Sequence, residues 1–393
     1  MVSHGKVMTW LPFEQMGPGV WEQVEAVSHL PFVFRHVGVM PDAHVGKGAC
    51  VGTVIATQGA VVPSIVGVDI GCGVIWRQTN LQREGLPHDL APLRQSIERR
   101  VYLGKGKGYE KVVQESDGYI ETLERLAGDR LSHYDKTLPH WRNQVGSLGS
   151  GNHFIELVVD DQGYVGGFLH SGSRGIGNIL AGQHIRLAQS INKNQGITLP
   201  DRDLAYFLEG TEEFDSYIQD VRWCQRFAEF NRLDMMRRLM DAVAEFAISD
   251  FHQDADIDDE IHHHHNFTTI ENHFGEAVWI TRKGAVPARA GERGLLPTAM
   301  GRASYVVEGL GNEESFCTAP HGAGRRMSRS QAKKELDYSV LVDHMAGVEW
   351  KPDIGVLDEA PEAYKPPNEV LENSRTLIRP IGELRPILNV KGL

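Results

Sequence analysis

Apolar residues spaced by threes and fours run along Glu212–Phe246. Tyr217, Val221, Cys224, Ala228, Met235, Leu239, Val243 and Phe246 fall on one face, which predicts a single long helix. Asn231 interrupts this stripe. It reads either as an inward polar group near a site or as a core amide with its hydrogen bonds made. Cys224 reads as a small core hydrophobe. Shorter helices are expected over Leu90–Val101 and Ile120–Ala127. From Gly48 to Trp76 the chain is rich in Val and Ile and punctuated by glycine, which predicts buried strands. Phe154–Val159 and Tyr164–Leu169 flank the turn Asp160-Asp161-Gln162-Gly163 and predict a strand pair. The mixture gives an α/β or α+β fold. Neither GxGxxG nor GxxxxGK[ST] occurs between a strand and a helix, so the common phosphate-cradling loops are not expected. GKGKGY at Gly104–Tyr109 is a flexible basic loop by composition, with phosphate gripping as the alternative reading.

Composition narrows the picture. The 393 residues are 41% hydrophobic, enough for a sizeable core. No apolar run is long enough to span a bilayer, and MVSHGKVMTW lacks the apolar segment of a signal peptide. Cys50, Cys72, Cys224 and Cys317 are widely spaced, so a disulfide framework is not expected and a reducing cytoplasm is. The net charge of −12 is the wrong sign for general basic-surface binding to nucleic acid, so any such contact must be local. One stretch reverses the balance. Arg282–Lys334 holds ten basic and four acidic residues, read as a solvated basic face or as a phosphate-facing region.

Candidate metal chemistry gathers beside glycine-rich turns. Asp69 and Cys72 lie in VGVDIGCG, at the end of an expected buried strand, where an acid is costly unless paired or metal-bound. His153 follows the turn of GSGNHFIEL, His170 ends the next strand in LHSGSRGIGN, and His265 ends the run IHHHHNF. Taken singly, each histidine is more often an ordinary polar residue. One thiolate, one carboxylate and three imidazoles together suit a borderline transition metal. In an extended segment His263 would share a face with His265, so His263 stands as the alternative ligand.

HGAGR at His321–Arg325 sets a histidine before two glycines and the basic segment MSRSQAKK. An imidazole near arginines can attack phosphorus and form a phosphoramidate. An ordinary loop histidine is the simpler reading on pattern alone. Asp42 and His44, in MPDAHVGKG, form a second polar pair, and a carboxylate there could orient a distant histidine.

PDAHVGKG, VGVDIGCG, GSGNHFIE, HSGSRGIGN, HHN, RKGA, MGRASY, GLGNEESFC, HGAGRRMSR and the final VKG, in this order from about residue 30 to residue 392, strongly resemble the RtcB family of RNA-splicing ligases. The resemblance implies one α/β catalytic unit spanning residues 1–393. It implies that Asp69, Cys72, His153, His170 and His265 hold two Mn²⁺, with Cys72 bridging. His321 would be the guanylylated nucleophile, oriented by Asp42. Asn152, Glu156, Asn266, Ser304, Tyr364 and Lys391 would bind the guanylate of GTP, and Arg174, Arg325 and Arg329 would contact RNA or nucleotide phosphates. The implied reaction joins an RNA 3′-phosphate or 2′,3′-cyclic phosphate to a 5′-hydroxyl, in tRNA splicing or RNA repair.

Some positions depart from the family pattern. The usual PGSMG reads Pro297-Thr298-Ala299-Met300-Gly301, the usual AYKD reads Ala363-Tyr364-Lys365-Pro366, and Leu393 follows the final KG. The metal set and His321 are intact, so activity is expected, including that of a paralogue specialised for a particular damaged RNA. Two other classes compete. A metal-dependent phosphoesterase would need the ligand set but no nucleotide. A non-catalytic RNA-binding scaffold fits the charge of −12 poorly and has no use for Cys72 among three histidines.

Overall fold

The computed structural model describes residues 1–250 and 260–393. The long helix forms over Glu212–Phe246 as the spacing predicts. Thr211 caps it by accepting from the Phe214 amide at 3.3 Å, and Glu212, Glu213 and Asp215 place negative charge at its positive end. Its two halves bury different neighbours. Tyr217, Val221, Cys224 and Phe227 pack with Trp141, Ile176 and Leu180 of a helical layer. Met235, Met236, Leu239 and Val243 pack on Ile75, Leu157 and Leu169 of a sheet. Burial of each such side chain contributes roughly 1.5–3 kcal/mol.

Two large sheets form the rest of the frame. The first runs in the order Val2–His4, Val7–Thr9, Val33–His44, Val51–Thr57, Glu276–Lys283, Asn266–His273. The second runs Glu260–His264, Gly73–Gln82, Tyr164–Ser171, Phe154–Val159, Ile378–Lys391, Ser304–Gly309, Arg293–Leu296. The chain passes between these sheets at two points that matter. Residues 67–72 lead into the second-sheet strand Gly73–Gln82, and His265 sits between the last strand residue of one sheet, His264, and the first of the other, Asn266. The Cys72 carbonyl accepts from the His265 amide at 2.8 Å, so the two crossings are stitched together. No described helix is long and apolar enough to cross a membrane.

Several expectations shift. The apolar stretch Gly48–Trp76 is not strand throughout: Pro63 opens a short helix, Pro63–Val66, because it fixes φ and has no N–H to offer a ladder. Asp69 and Cys72 therefore lie in a turn before a strand rather than at a strand's end. Gly67 and Gly71 take positive φ there, and the backbone of helix residue Gln225 leaves no room for a side chain at Gly71. The strand from Tyr164 reaches Ser171, so His170 is paired within it, opposite Val74 and Phe154. The basic stretch is not one solvated face. Arg282 is fully buried on Glu271, Thr318 and the Phe316 carbonyl, and Lys283 is buried as well.

Asn231 resolves in favour of both of its readings at once. Its Oδ1 accepts from the Ser147 amide at 3.0 Å, and its Nδ2 faces the Ser147 carbonyl, Ser171 Oγ and the Gly172 carbonyl at 3.1–3.3 Å. It is a satisfied core amide that ties down two site loops. Asn231→Leu should leave these groups buried without partners and lower unfolding free energy by roughly 2–3 kcal/mol. Urea denaturation reads this directly, and an unchanged midpoint would refute it.

Candidate functional site

The two sheet crossings, the start of strand Phe154–Val159 and the end of strand Tyr164–Ser171 meet at one point. His153 Nε2 lies 3.1 Å from Asp69 Oδ2 and 3.4 Å from Cys72 Sγ. His170 Nε2 lies 3.2 Å from Cys72 Sγ and 3.3 Å from His265 Nε2. Cys72 is thus shared between Asp69 and His153 on one side and His170 and His265 on the other. Burial, then neighbouring imidazoles, lower the pKa values of His170 and His265 far below the ordinary histidine range, so both rings present lone pairs. Burial and then Asp69 push the Cys72 thiol up in the metal-free chain. A bound cation reverses that order, because a coordinating thiol is deprotonated. His153 Nδ1 and His265 Nδ1 are buried without protein partners. Soft and borderline donors converging from four segments fit a transition-metal centre.

The fold also separates His265 from its competitor. His263 Nε2 accepts from the Leu295 amide at 3.0 Å, within the second sheet. Its neighbours His262 and His264 face Arg232, at 2.7 and 2.9 Å. The run of four histidines therefore divides three ways, and only His265 turns to the cluster.

His321 stands beside His265, with ring centroids 4.7 Å apart. Its Nδ1 lies 2.7 Å from Asp42 Oδ2, and its amide donates to the same oxygen at 3.2 Å. Asp42 is fully buried at a bulge in strand Val33–His44. Two features hold it there: Lys365 Nζ donates to the flanking carbonyls of Pro41 and Ala43, and Gly324 lies so close to the Asp42 carbonyl that any side chain would collide with it. With Nδ1 turned to Asp42, Nε2 is the ring nitrogen of His321 left to face the cavity. His44 is not part of this pair; its Nδ1 turns back to the Asp42 carbonyl at 3.0 Å.

A cavity of about 870 Å³ opens above these groups. Asn152, Glu156, Asn266, Ser304, Tyr364, Lys391, Arg325 and Arg329 all line it. Asn266 spends its amide on the Asp69 carbonyl and the Gly284 amide, at 3.2 and 2.8 Å, and so fastens both crossings. Glu156 is buried opposite Asn389, which donates to it at 2.7 Å. Burial raises its pKa to about 7 against the opposing pull of Asn389 and Lys391. Arg174 does not line the cavity. It lies behind His153 with φ of 58°, and its guanidinium donates to Ser147 Oγ and the Gly104 carbonyl at 3.0 and 2.7 Å. The GKGKGY loop is thus anchored rather than loose, and it does not line the cavity.

Sequence reasoning missed Asp358, Glu359, Lys283 and Asn389, all placed at or against this cavity. The acidic pair in LDEAPE was the readable signal, since it complements the cations of RRMSRSQAKK. Ala299 lines the cavity, and neighbouring Thr298 does not restore the hydroxyl, because its Oγ1 donates to the Ala303 carbonyl at 2.8 Å.

A family model described as tRNA-splicing ligase RtcB matches residues 23–392. The chain is 44% identical over 381 residues to RNA-splicing ligase RtcB of Escherichia coli strain K12, covering 94% of this chain and 93% of that protein. It is 30% identical over 445 residues to tRNA-splicing ligase RtcB of Nanoarchaeum equitans, covering 94% and 91%. It is 30% identical over 439 residues to RNA-splicing ligase RtcB of Mycobacterium tuberculosis, covering 94% and 100%. With the mixed α/β fold and the buried thiol–imidazole cluster, these likenesses define the class as an RNA ligase. The chain belongs to the RtcB family of tRNA-splicing ligases.

Two measurements probe this site. His265→Ala should lose most bound metal while His263→Ala keeps it, as read by elemental analysis of purified protein; the reverse pattern would exchange the two assignments. Glu156 titrates higher in the fold than in the open chain, so its contribution is full at acidic pH and fades as pH rises through about 7. Wild type should therefore lose roughly 2–3 kcal/mol relative to Glu156→Gln between pH 5 and pH 8. Parallel stability curves for the two proteins would contradict this.

Proposed function

We propose that this protein joins an RNA 3′-phosphate to a 5′-hydroxyl using GTP, with His321 as the guanylylated nucleophile. The observation that carries the reading is the His321–Asp42 pair at 2.7 Å, set against the Cys72 cluster at the floor of the cavity. His321 Nε2 attacks the α-phosphorus of GTP; the bond to the bridging oxygen breaks and pyrophosphate leaves. Asp42 holds the Nδ1 proton and offsets the charge that develops on the ring. An oxygen of the RNA 3′-phosphate then attacks the guanylyl phosphorus, breaking the P–N bond and restoring the imidazole. The 5′-hydroxyl attacks the activated 3′-phosphorus and releases GMP. A 2′,3′-cyclic phosphate is hydrolysed to the 3′-phosphate first.

Asp69, Cys72 and His153 would hold one Mn²⁺, and Cys72, His170 and His265 a second. Bound there, the ions supply Lewis-acid stabilisation of phosphoryl charge. Asn152, Glu156, Asn266, Ser304, Tyr364 and Lys391 receive the guanylate. Arg325 and Arg329 face the phosphates, while Arg174 supports the RNA steps from behind His153. A reducing cytoplasm suits a chain whose activity rests on a free thiol.

His321→Ala should abolish the acid-labile GMP adduct formed from labelled GTP and Mn²⁺ while retaining wild-type metal content. Adduct on the variant would refute the nucleophile. Cys72→Ala should lose both the metal and ligation, whereas Cys224→Ser, whose thiol is buried in the helical core and does not line the cavity, should still ligate. Paired substrates test the end chemistry: 3′-phosphate with 5′-hydroxyl RNA should seal, and efficient sealing of 5′-phosphate to 3′-hydroxyl ends instead would overturn the reading. A phosphoesterase would form no adduct at all.

A further inference from the structure

Glu359 is a buried carboxylate in the middle of the cavity's cationic wall, and its two oxygens are divided between two groups of partners. Oε2 accepts from Tyr364 Oη at 2.9 Å and from Lys391 Nζ at 3.2 Å. Oε1 faces Arg329 Nη1 at 2.6 Å and Arg325 Nη1 at 3.4 Å. Asp358 takes the outer cations, Arg329 and Lys333, at 2.7 and 3.3 Å, and its carbonyl accepts from Arg325 Nη2 at 2.7 Å. Burial alone would raise the Glu359 pKa. Lys391, Arg329 and Arg325 outweigh it and hold the group ionised, at about 2.

These partners come from separate parts of the chain: the loop and helix start at Arg325–Arg329, the turn at Tyr364, and the end of the strand Ile378–Lys391. A backbone bridge and a 3.0 Å hydrogen bond from Arg325 Nη1 to Tyr364 Oη join two of them, but Lys391 arrives on its own strand, and its buried ammonium needs a counter-charge. A carboxylate facing a cavity that receives a polyanion costs affinity, unless it returns more by fixing the donors that the polyanion meets.

We propose that Glu359 is the positioning residue of the nucleotide pocket, aligning Lys391 and Tyr364 for the base and Arg325 and Arg329 for the phosphates. The inference rests on the GTP reading above. An ammonium held in place recognises the carbonyl edge of guanine and not the amino edge of adenine, so Glu359 also sets nucleotide selectivity.

Glu359→Gln keeps the shape and an acceptor for Tyr364 but removes the charge. Guanylylation of His321 should show a KM for GTP raised about tenfold or more, the equivalent of one charge-assisted hydrogen bond, with a smaller fall in kcat. The preference for GTP over ATP should narrow, and manganese content should match wild type. Glu359→Asp, which retains charge with a shorter reach, should fall between the two. In the double variant with Lys391→Met, the Glu359→Gln effect on selectivity should largely vanish, because the partner at the base is already gone, while the part of the KM effect that runs through Arg325 and Arg329 should remain, so the two substitutions combine less than additively. Unchanged KM and selectivity in Glu359→Gln, or strict additivity in the double variant, overturns the assignment; if Glu359→Gln does not fold, Glu359→Asp with wild-type KM and selectivity does the same. Wild-type protein that forms no GMP adduct overturns the GTP reading together with this one, whereas a wild-type adduct with an unaffected variant overturns the Glu359 assignment alone.

Discussion

The cavity floor depends on a guanidinium buried beneath it. Arg232, fully buried on the long helix, donates to the carbonyls of Gly71 and Ser171 at 2.9 and 2.7 Å and reaches His262 and His264. Those two carbonyls flank Cys72 and His170 in the chain. The segment through Gly71 and Cys72 is a turn and Ser171 is the last residue of its strand, so both carbonyls find their partner outside the ladder. The helix supplies it from Arg232 and, one residue earlier, holds the Gly172 carbonyl from Asn231. A cation buried here also stands close to the Asp69 and Cys72 side chains, and the positive charge favours their ionised forms. The helix is long because its two halves have separate cores to fill, and the pair Asn231–Arg232 falls where one core gives way to the other.

The charge of the chain is arranged on the same local principle. The chain is −12 overall, yet Arg325, Arg329, Lys283, Lys365 and Lys391 all face one cavity. Each is held by a buried acceptor rather than left to water. Lys283 donates to the carbonyls of Ser64 and Lys47, and burial lowers its pKa to about 8. Lys365 braces the strand that carries Asp42. Lys283, Lys365, Lys391 and Arg325 are thereby largely desolvated and oriented in advance, while Arg329 keeps an exposed side, and cations fixed in this way attract an anion more strongly than mobile surface lysines do. Arg282 serves the frame instead. Sealed on Glu271, it supports the first sheet rather than the cavity.

The sequence by itself determined the long helix, the Phe154 and Tyr164 strand pair, the mixed fold and the chemical types of the site residues. Period and glycine placement are local quantities, and they report local structure. Motif order was enough to indicate the family. Only the tertiary structure decided which donors meet. His263 and His265 share a face in an extended chain, but the chain leaves one sheet and enters the other between them, and that crossing turns His265 alone to Cys72. Asp42 and His321 are separated by 279 positions and are joined by a bulge at Asp42 and a side-chain-free approach at Gly324. Arg174, polar and glycine-flanked in sequence, was drawn behind His153 by the Gly104 and Ser147 acceptors. Glu359 showed in the sequence only as one of an acidic pair that complements a distant run of cations. Its importance comes from four partners that converge on one buried carboxylate, and convergence of distant segments is a property of the closed chain, which spacing along the sequence does not encode.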